Sequence, residues 1–364
     1  MHHGIRGAAV LFFFAWRTCW ADSPAAATTQ PADREAVLRA ADRATGFLKS
    51  LAPDIDPVRL RAERKMKGKK FYVEYLKAWW DLYQIGGADK RAAIREFLTP
   101  VVERSNNADY HNLDASSAQE FKEDIISYLS ACVLHEQFGF DTADYRQRID
   151  AIVGRTLSPR HLSSRGIDNT MAIVHRLRQL GHDPKIDLCD LWRRPGCVTR
   201  QHPDLTRLDL TKVEGWIRVY DLTHEVFYLT EFGRTPMQCV GPTDLGYIRD
   251  SHASLLVRLM ELKNIDLVSE LLMDLNYLRM TDLPEYAVAR QFVLDHQNDD
   301  GSWGDREVVA RNVEQSFGSN PAYLPAVGQY LHTTHVSLNA LLYPYWADAT
   351  QATQRAEPHR SLEK

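Results

Sequence analysis

The stretch Phe292–Gly304, "FVLDHQNDDGSWG", decides how the rest of the chain is read. Its first half closes an amphipathic helix near Gln297. A tight polar turn follows with Gly301, and Trp303 folds back. A glutamine at a helix end can bond free backbone groups, and a tryptophan beside a turn buries a large apolar area. The stretch therefore reads as a helix–turn junction clamped by two side chains, in a chain built of helices joined by short turns.

The surrounding sequence agrees. Apolar residues recur at three- and four-residue steps in almost every segment, and sustained alternation is scarce. "ADREAVLRAADRATGFLKSL" starts at a capping aspartate, Asp33, and "KKFYVEYLKAWWDLYQIGG" stops at a glycine pair. With "DKRAAIREFLTPVVERSNN", "SSAQEFKEDIISYLSACVLHEQFG", "DTADYRQRIDAIVGRTL" and "DNTMAIVHRLRQLG" on one side, and "LTKVEGWIRVYDLTHEVFYLTEFG", "DLGYIRDSHASLLVRLMELKN", "IDLVSELLMDLNYLRM", "PEYAVARQFVLDHQ" and "HTTHVSLNALLYPYWA" on the other, the pattern predicts about eleven helices. Short connections argue for antiparallel hairpins. Helices end on glycine or asparagine and restart near aspartate ("IGGAD", "FGFD", "LGHD", "LKNID"), at intervals of about 30 to 50 residues, the range of helical-pair repeats. Segments 185–208 and 301–323 are expected to be irregular. The fold class expected is all-α, specifically an α/α toroid occupying 33–347, with a disordered tail at 348–364. The aromatic run Phe71–Tyr83 is expected in its core.

The residues Phe292, Gln297, Gly301 and Trp303 resemble the glutamine–tryptophan motif of the terpenoid cyclase and protein prenyltransferase superfamily. That resemblance implies an α/α toroid and a structural role for the motif. Similar strings occur in other toroids, including some polysaccharide lyases. The acid motif of squalene-type cyclases and the D-D-x-x-D diphosphate motif are missing from this sequence, so squalene-type cyclization loses support. "THEVFYLTEFG" and "HTTHVSL" resemble strings of a bacterial toroid-like family with no reaction attached.

Three histidines stand in similar local settings: Thr223–His224, Ser251–His252 and Thr334–His335. Each follows a hydroxyl residue and precedes an apolar run, so each is expected in the first turn of a helix. In a toroid such positions could converge. Neutral imidazole is the commonest side-chain ligand for zinc, and three of them with an open position make a catalytic set. His224, His252 and His335, joined by His332, are therefore the expected ligands of a divalent metal, with zinc the ion considered. Asp221, Glu225 and Asp250 could orient imidazoles or act as a base, while Tyr220 and Arg249 could bind an anionic or sugar-like ligand. Two other readings stay open: a metal-free polysaccharide lyase or glycoside hydrolase, and a non-enzymatic binding scaffold with structural histidines. His135 and His175 lie later in their helices and read as packing or surface residues. No G-x-S-x-G elbow, P-loop or H-E-x-x-H is present.

The net charge of −4 over 364 residues argues against a nucleic-acid face, and a small-molecule or glycan substrate is the expected partner. The basic run "RLRAERKMKGKK" reads as a solvated helix face. At the N-terminus, Arg6, the apolar run Ala8–Trp16 and Ala21 follow the order of a secretory signal peptide, with cleavage after residue 21 and a linker over 22–32. No later segment reaches membrane length, so an exported, periplasmic or secreted chain is expected. Its Cys132, Cys189, Cys197 and Cys239 then permit disulfides in three connectivities, and Cys189 with Cys197 could close a small loop.

Overall fold

The structure, a computed structural model, describes residues 31–55, 68–105, 118–157, 166–237, 239–317 and 323–356. The expected signal peptide, nearly all of the linker and most of the basic run lie outside the described residues. Fourteen helices and no strands are present among those described. In chain order they are α1 (Pro31–Ser50), α2 (Gly68–Gln84), α3 (Ala88–Ser105), α4 (Ala118–Phe138), α5 (Ala143–Thr156), α6 (Ile167–Gln179), α7 (Leu188–Trp192), α8 (Val198–Gln201), α9 (Val213–Leu229), α10 (Pro242–Glu261), α11 (Ile265–Leu278), α12 (Pro284–Asp295), α13 (Arg306–Phe317) and α14 (Tyr323–Ala356). The eleven expected helices are all among them. The other three, α7, α8 and α13, fall in the two segments expected to be irregular, and α14 runs past residue 347 to Ala356.

Six helices pack in a closed cycle: α2 on α4, α4 on α6, α6 on α9, α9 on α11, α11 on α14, and α14 back on α2. The other long helices pair with members of that cycle, α1 with α2 and α14, α3 with α2, α5 with α4, α10 and α12 with α11, and α13 with α14. The cycle carries the core. Tyr72, Tyr75 and Trp79 of α2 are almost fully buried, as the aromatic run suggested. In α11 every residue from Ile265 to Tyr277 is buried, after Asn264 caps the first turn by accepting from Leu267 N. A helix buried on all sides belongs at the centre of a protein. Yet α11 carries Asp266, Glu270 and Asp274, spaced by four residues and so stacked on one stripe. A core helix does not carry three stacked acids for packing alone.

The Phe292–Gly304 stretch clamps α1 and α12 together. Gln297 Nε2 donates to Ala40 O of α1 and to Gly301 O, both at 2.9 Å. The buried Trp303 donates from Nε1 to Val293 O at 2.7 Å. Its backbone N–H reaches Thr334 Oγ1 of α14 at 3.1 Å. The turn therefore fixes the part of α14 that carries His335.

Cys189 pairs with Cys239, with Cα atoms 5.4 Å apart, in place of the small Cys189–Cys197 loop considered from sequence. Cys197 is buried at the start of α8, its Sγ turned toward Leu191 O, and Cys132 is a buried helix residue as expected. The bridge closes a span of 50 residues. Replacing both partners by serine is expected to lower unfolding free energy by about 2–4 kcal/mol. Denaturant melts would read this, and added reductant should not destabilise the double variant further.

His135 packs in the core, where Tyr72 OH lies 2.8 Å from its Nε2. Burial pulls its pKa from 6.5 down to about 3. The folded chain keeps the imidazole neutral while the unfolded chain takes up a proton below pH 6.5. This stability is therefore whole above 6.5 and is lost at about 1.4 kcal/mol per pH unit as pH falls toward 3. The advantage of the wild type over His135→Gln should narrow by about 2 kcal/mol between neutral pH and about pH 5. An unchanged gap in denaturant melts at the two pH values would contradict a neutral buried imidazole.

Candidate metal centre

Three helices of the cycle bring acids and imidazoles together. Glu74 and Asp81 lie on α2, Asp266 and Glu270 on α11, and His332 and His335 on α14. The spacing of each pair places both members on one helix face. Glu74, His332 and His335 each offer one ligand atom within 4.8 Å of the other two.

The two imidazoles are placed alike. His335 Nδ1 lies 2.9 Å and His332 Nδ1 3.4 Å from the same oxygen, Glu74 Oε2. Their other nitrogens face further carboxylates. His332 Nε2 is 3.4 Å from Glu270 Oε1 and 3.5 Å from Asp266 Oδ1, and His335 Nε2 is 3.7 Å from Asp81 Oδ2. Despite its short distance to Glu74, the buried His335 Nδ1 makes no hydrogen bond, because the direction is wrong. Ligand atoms around a tetrahedral zinc with bonds of about 2.0–2.1 Å stand about 3.3 Å apart, which these separations straddle. The residues fit a divalent cation.

Other groups hold the acids in place. Thr223 Oγ1 donates to Glu270 Oε2 at 2.5 Å, and Thr333 Oγ1 donates to Asp266 Oδ1 at 3.1 Å. Tyr220 OH donates to Asp266 Oδ2. Asn339 Nδ2 donates to Asp81 Oδ1 at 2.8 Å and is itself fixed by Tyr277 OH. Lys77 Nζ lies 3.1 Å from Glu74 Oε1.

The electrostatics follow from burying four carboxylates beside so few cations. Burial opposes the charged form of Glu74, but Lys77, His332 and His335 outweigh it and hold the carboxyl well below its usual range. Glu270 is likewise lowered against burial, by His332, His224 and Thr223. Burial wins at Asp81 and Asp266, which are both raised. Burial also opposes the charged form of His332, yet Asp266, Glu270 and Glu74 raise its pKa to about 10. His335 goes the other way, to about 4, because burial exceeds what Glu74 gives back. Lys77 and a protonated His332 balance Glu74 and Glu270, while burial holds Asp81 and Asp266 toward their neutral forms; a bound cation would take the place of the His332 proton and favour the charged forms of these acids.

The pattern of a family described as "Domain of unknown function (DUF6895)" matches residues 41–342, most of the chain. The chain belongs to the DUF6895 family. No curated protein and no solved structure matches it.

In this DUF6895 chain the expected ligands separate into groups. His332 and His335 meet at Glu74. His224 sits near the same acids among Tyr220, Phe227 and Tyr228, and burial lowers its pKa. His252 is elsewhere: its Nε2 is 2.7 Å from Asp274 Oδ2 and its Nδ1 is 2.7 Å from Ile248 O, so both nitrogens are taken. The expected helix starts are also corrected. His224, His252 and His335 lie well inside α9, α10 and α14, and the hydroxyls before them are not caps. Thr223 and Thr334 instead bond Glu270 and Trp303 N.

Of the expected assisting residues, Tyr220 joins the centre. Glu225 does not; it accepts from Val198 N, Thr199 N and Thr199 Oγ1 and so anchors α8 to α9. Asp221 pairs with Arg218 at 3.3 Å, Arg249 forms a two-point pair with Asp282, and Asp250 is exposed on α10. Glu74, Asp81, Asp266 and Glu270 were missed from sequence. Their signal is an acid at four- or seven-residue spacing inside an otherwise apolar helix.

Proposed function

We propose that this chain is an exported α/α-toroid enzyme whose centre is a divalent-metal site formed by Glu74, His332 and His335, with zinc the ion best suited to the donor set. One observation carries the reading. Both imidazoles hold Nδ1 within 3.4 Å of one oxygen of Glu74 and Nε2 within 3.7 Å of a second carboxylate. Metal-bound histidines characteristically give their other ring nitrogen to a carboxylate in this way. Two histidines and one carboxylate form a catalytic set that leaves room for water or substrate. Such an ion, when bound, lowers the pKa of water and polarises a substrate oxygen.

The chain's own groups do the rest. Asp81 Oδ2 faces His335 Nε2 at 3.7 Å, and Asp266 and Glu270 face His332 Nε2 at 3.5 and 3.4 Å. Glu270, ionised and held by Thr223, stands ready to accept a proton from a group beside His332. The closed cycle α2–α4–α6–α9–α11–α14 and the Gln297–Trp303 clamp support the toroid reading. The Cys189–Cys239 bridge supports an oxidising compartment, and hence a small-molecule or glycan substrate met outside the cytoplasm.

A second reading is favoured by the position of His332 between Glu74 on one side and Asp266 with Glu270 on the other. A protonated imidazole satisfies these acids without an ion, leaving a metal-free acid–base centre for sugar elimination or hydrolysis. Elemental analysis of gently purified chain separates the two. The metal reading expects about one equivalent of a divalent metal per chain. A chain that holds none, and neither binds nor is stabilised by added zinc, ends it. The metal-free reading then expects products from acidic polysaccharides in the presence of EDTA.

A further inference from the structure

Arg176 lies on α6, a member of the helix cycle, with its guanidinium 5.2 Å from the centroid of Phe232. It is largely buried but keeps some exposure. Among the described residues it has no carboxylate partner, and its one side-chain hydrogen bond runs from Nη1 to Gln179 Oε1 at 2.6 Å. A guanidinium carries five N–H donors in a fixed fork suited to planar or tetrahedral oxyanions. Sequestering one with no anion is costly, so such a group calls for a negatively charged partner.

Its surroundings repeat the point. His175, next in sequence, packs between Tyr228 and Phe232. Burial, together with Arg176, Arg234 and Arg178, keeps its pKa well below the usual value. Two routes connect Arg176 to the metal centre. Along one, Phe232 meets Tyr228, Tyr228 meets His224, His224 meets Tyr220, and Tyr220 bonds Asp266. Along the other, Phe232 meets Tyr277, whose hydroxyl reaches Asn339, then Asp81 and His335. The charge of Glu74, across the cycle on α2, is near enough to act on Arg176. Tyr220, His224, Tyr228, Phe232 and His332 all retain some exposure, as a ligand-facing row would.

We infer that Arg176 is the anion-recognition residue of the centre, gripping a carboxylate or phosphoryl group of a ring-bearing substrate that lies along Tyr228 and Phe232 toward His332 and His335. The inference rests on the reading of this interior as a substrate site and adds its chemical class: an anionic sugar residue or a comparable ring-bearing acid. The guanidinium and the acid-lined end then fix the substrate's direction, because an anion placed at the Asp266–Glu270 end would be repelled.

Calorimetric titration of the full chain with benzoate and with phenyl phosphate tests this, first in EDTA and then with zinc. At least one probe is expected to bind saturably in EDTA, and the stronger of the two identifies the oxyanion. Arg176→Gln should weaken that binding about tenfold or more, the loss of a charged hydrogen bond. Arg176→Lys, which keeps the charge but loses the fork, should weaken it too. Arg193→Gln, removing an exposed arginine paired with Asp190, should bind as the wild type does. Near-ultraviolet circular dichroism confirms that the variants are folded. Failure of the wild type to bind either probe overturns the inference, as does a folded Arg176→Gln that binds normally. Binding in EDTA that needs Arg176, in a chain that takes up no metal, counts against the metal reading alone.

Discussion

His335→Ala is expected to leave the purified chain without bound metal, while His135→Gln, at another buried histidine, retains it. The two positions differ in what surrounds them. His135 meets hydroxyl and aromatic groups, whereas His335 stands between Glu74 and Asp81. Losing one of three protein ligands removes more affinity than losing an orienting partner, and orienting partners alone are worth about 10- to 100-fold. Asp81→Asn should therefore fall between the wild type and His335→Ala in zinc titrations. A metal that binds only the folded chain adds about 4 kcal/mol when present at about a thousand times its dissociation constant. EDTA should then lower the wild-type melting temperature by on the order of 10 °C and leave that of His335→Ala unchanged. Glu74→Gln, which keeps shape and removes charge, is expected to behave like His335→Ala. A His335→Ala chain that still holds one equivalent as tightly as the wild type would remove Glu74–His332–His335 as a metal centre.

What the sequence made legible divides along physical lines. Helix existence is written locally, in apolar periodicity and end signals, and all eleven expected helices are present. The added helices α7 and α8 are a single turn or little more and carry too few residues to show a period. Local hydroxyl–histidine pairs misled because Thr223 and Thr334 serve partners distant in sequence rather than a helix end. A capping signal needs a helix boundary, and α14 begins at Tyr323, well before Thr334. The centre itself depends on three helices meeting, which no local pattern encodes. Even so, part of it could have been read. "IDLVSELLMDLNYL" sets three acids at four-residue spacing in a segment too apolar to be a surface helix, and "FYVEYLKAWWDLY" sets Glu74 and Asp81 two turns apart among aromatics. Acids that recur with helical period inside a core helix need a compensating charge, and the histidines of α14 lie in that register. Weighting buried-helix acids equally with histidines would have named Glu74 as a ligand.

Gly301→Ala is expected to lower unfolding free energy by about 3–5 kcal/mol. Gly301 has φ +88°, a left-handed conformation that disfavours a side chain. An added Cβ would lie 2.2 Å from Arg43 O and 2.5 Å from Arg43 C, both backbone atoms of α1 that cannot rotate away. The neighbouring face of α1 is small for the same reason: Ala40, Ala41 and Ala44 are buried and let the turn approach. Trp303→Ala should cost a similar amount, about 3–5 kcal/mol, by leaving a cavity and freeing Val293 O. The two variants should differ in kind. Gly301→Ala pushes the turn off α1 and breaks the Gln297–Ala40 bond, and with it the Trp303 N–Thr334 contact that fixes α14 next to His335. It should therefore weaken zinc binding as well as stability. Thr334→Val, which removes only the hydroxyl that accepts from Trp303 N, should show the same loss of zinc affinity at a smaller stability cost, about 1–2 kcal/mol. Denaturant melts and zinc titrations on the three variants read both quantities. If zinc affinity stays at the wild-type value in a folded Gly301→Ala, the turn holds the fold together without positioning the centre.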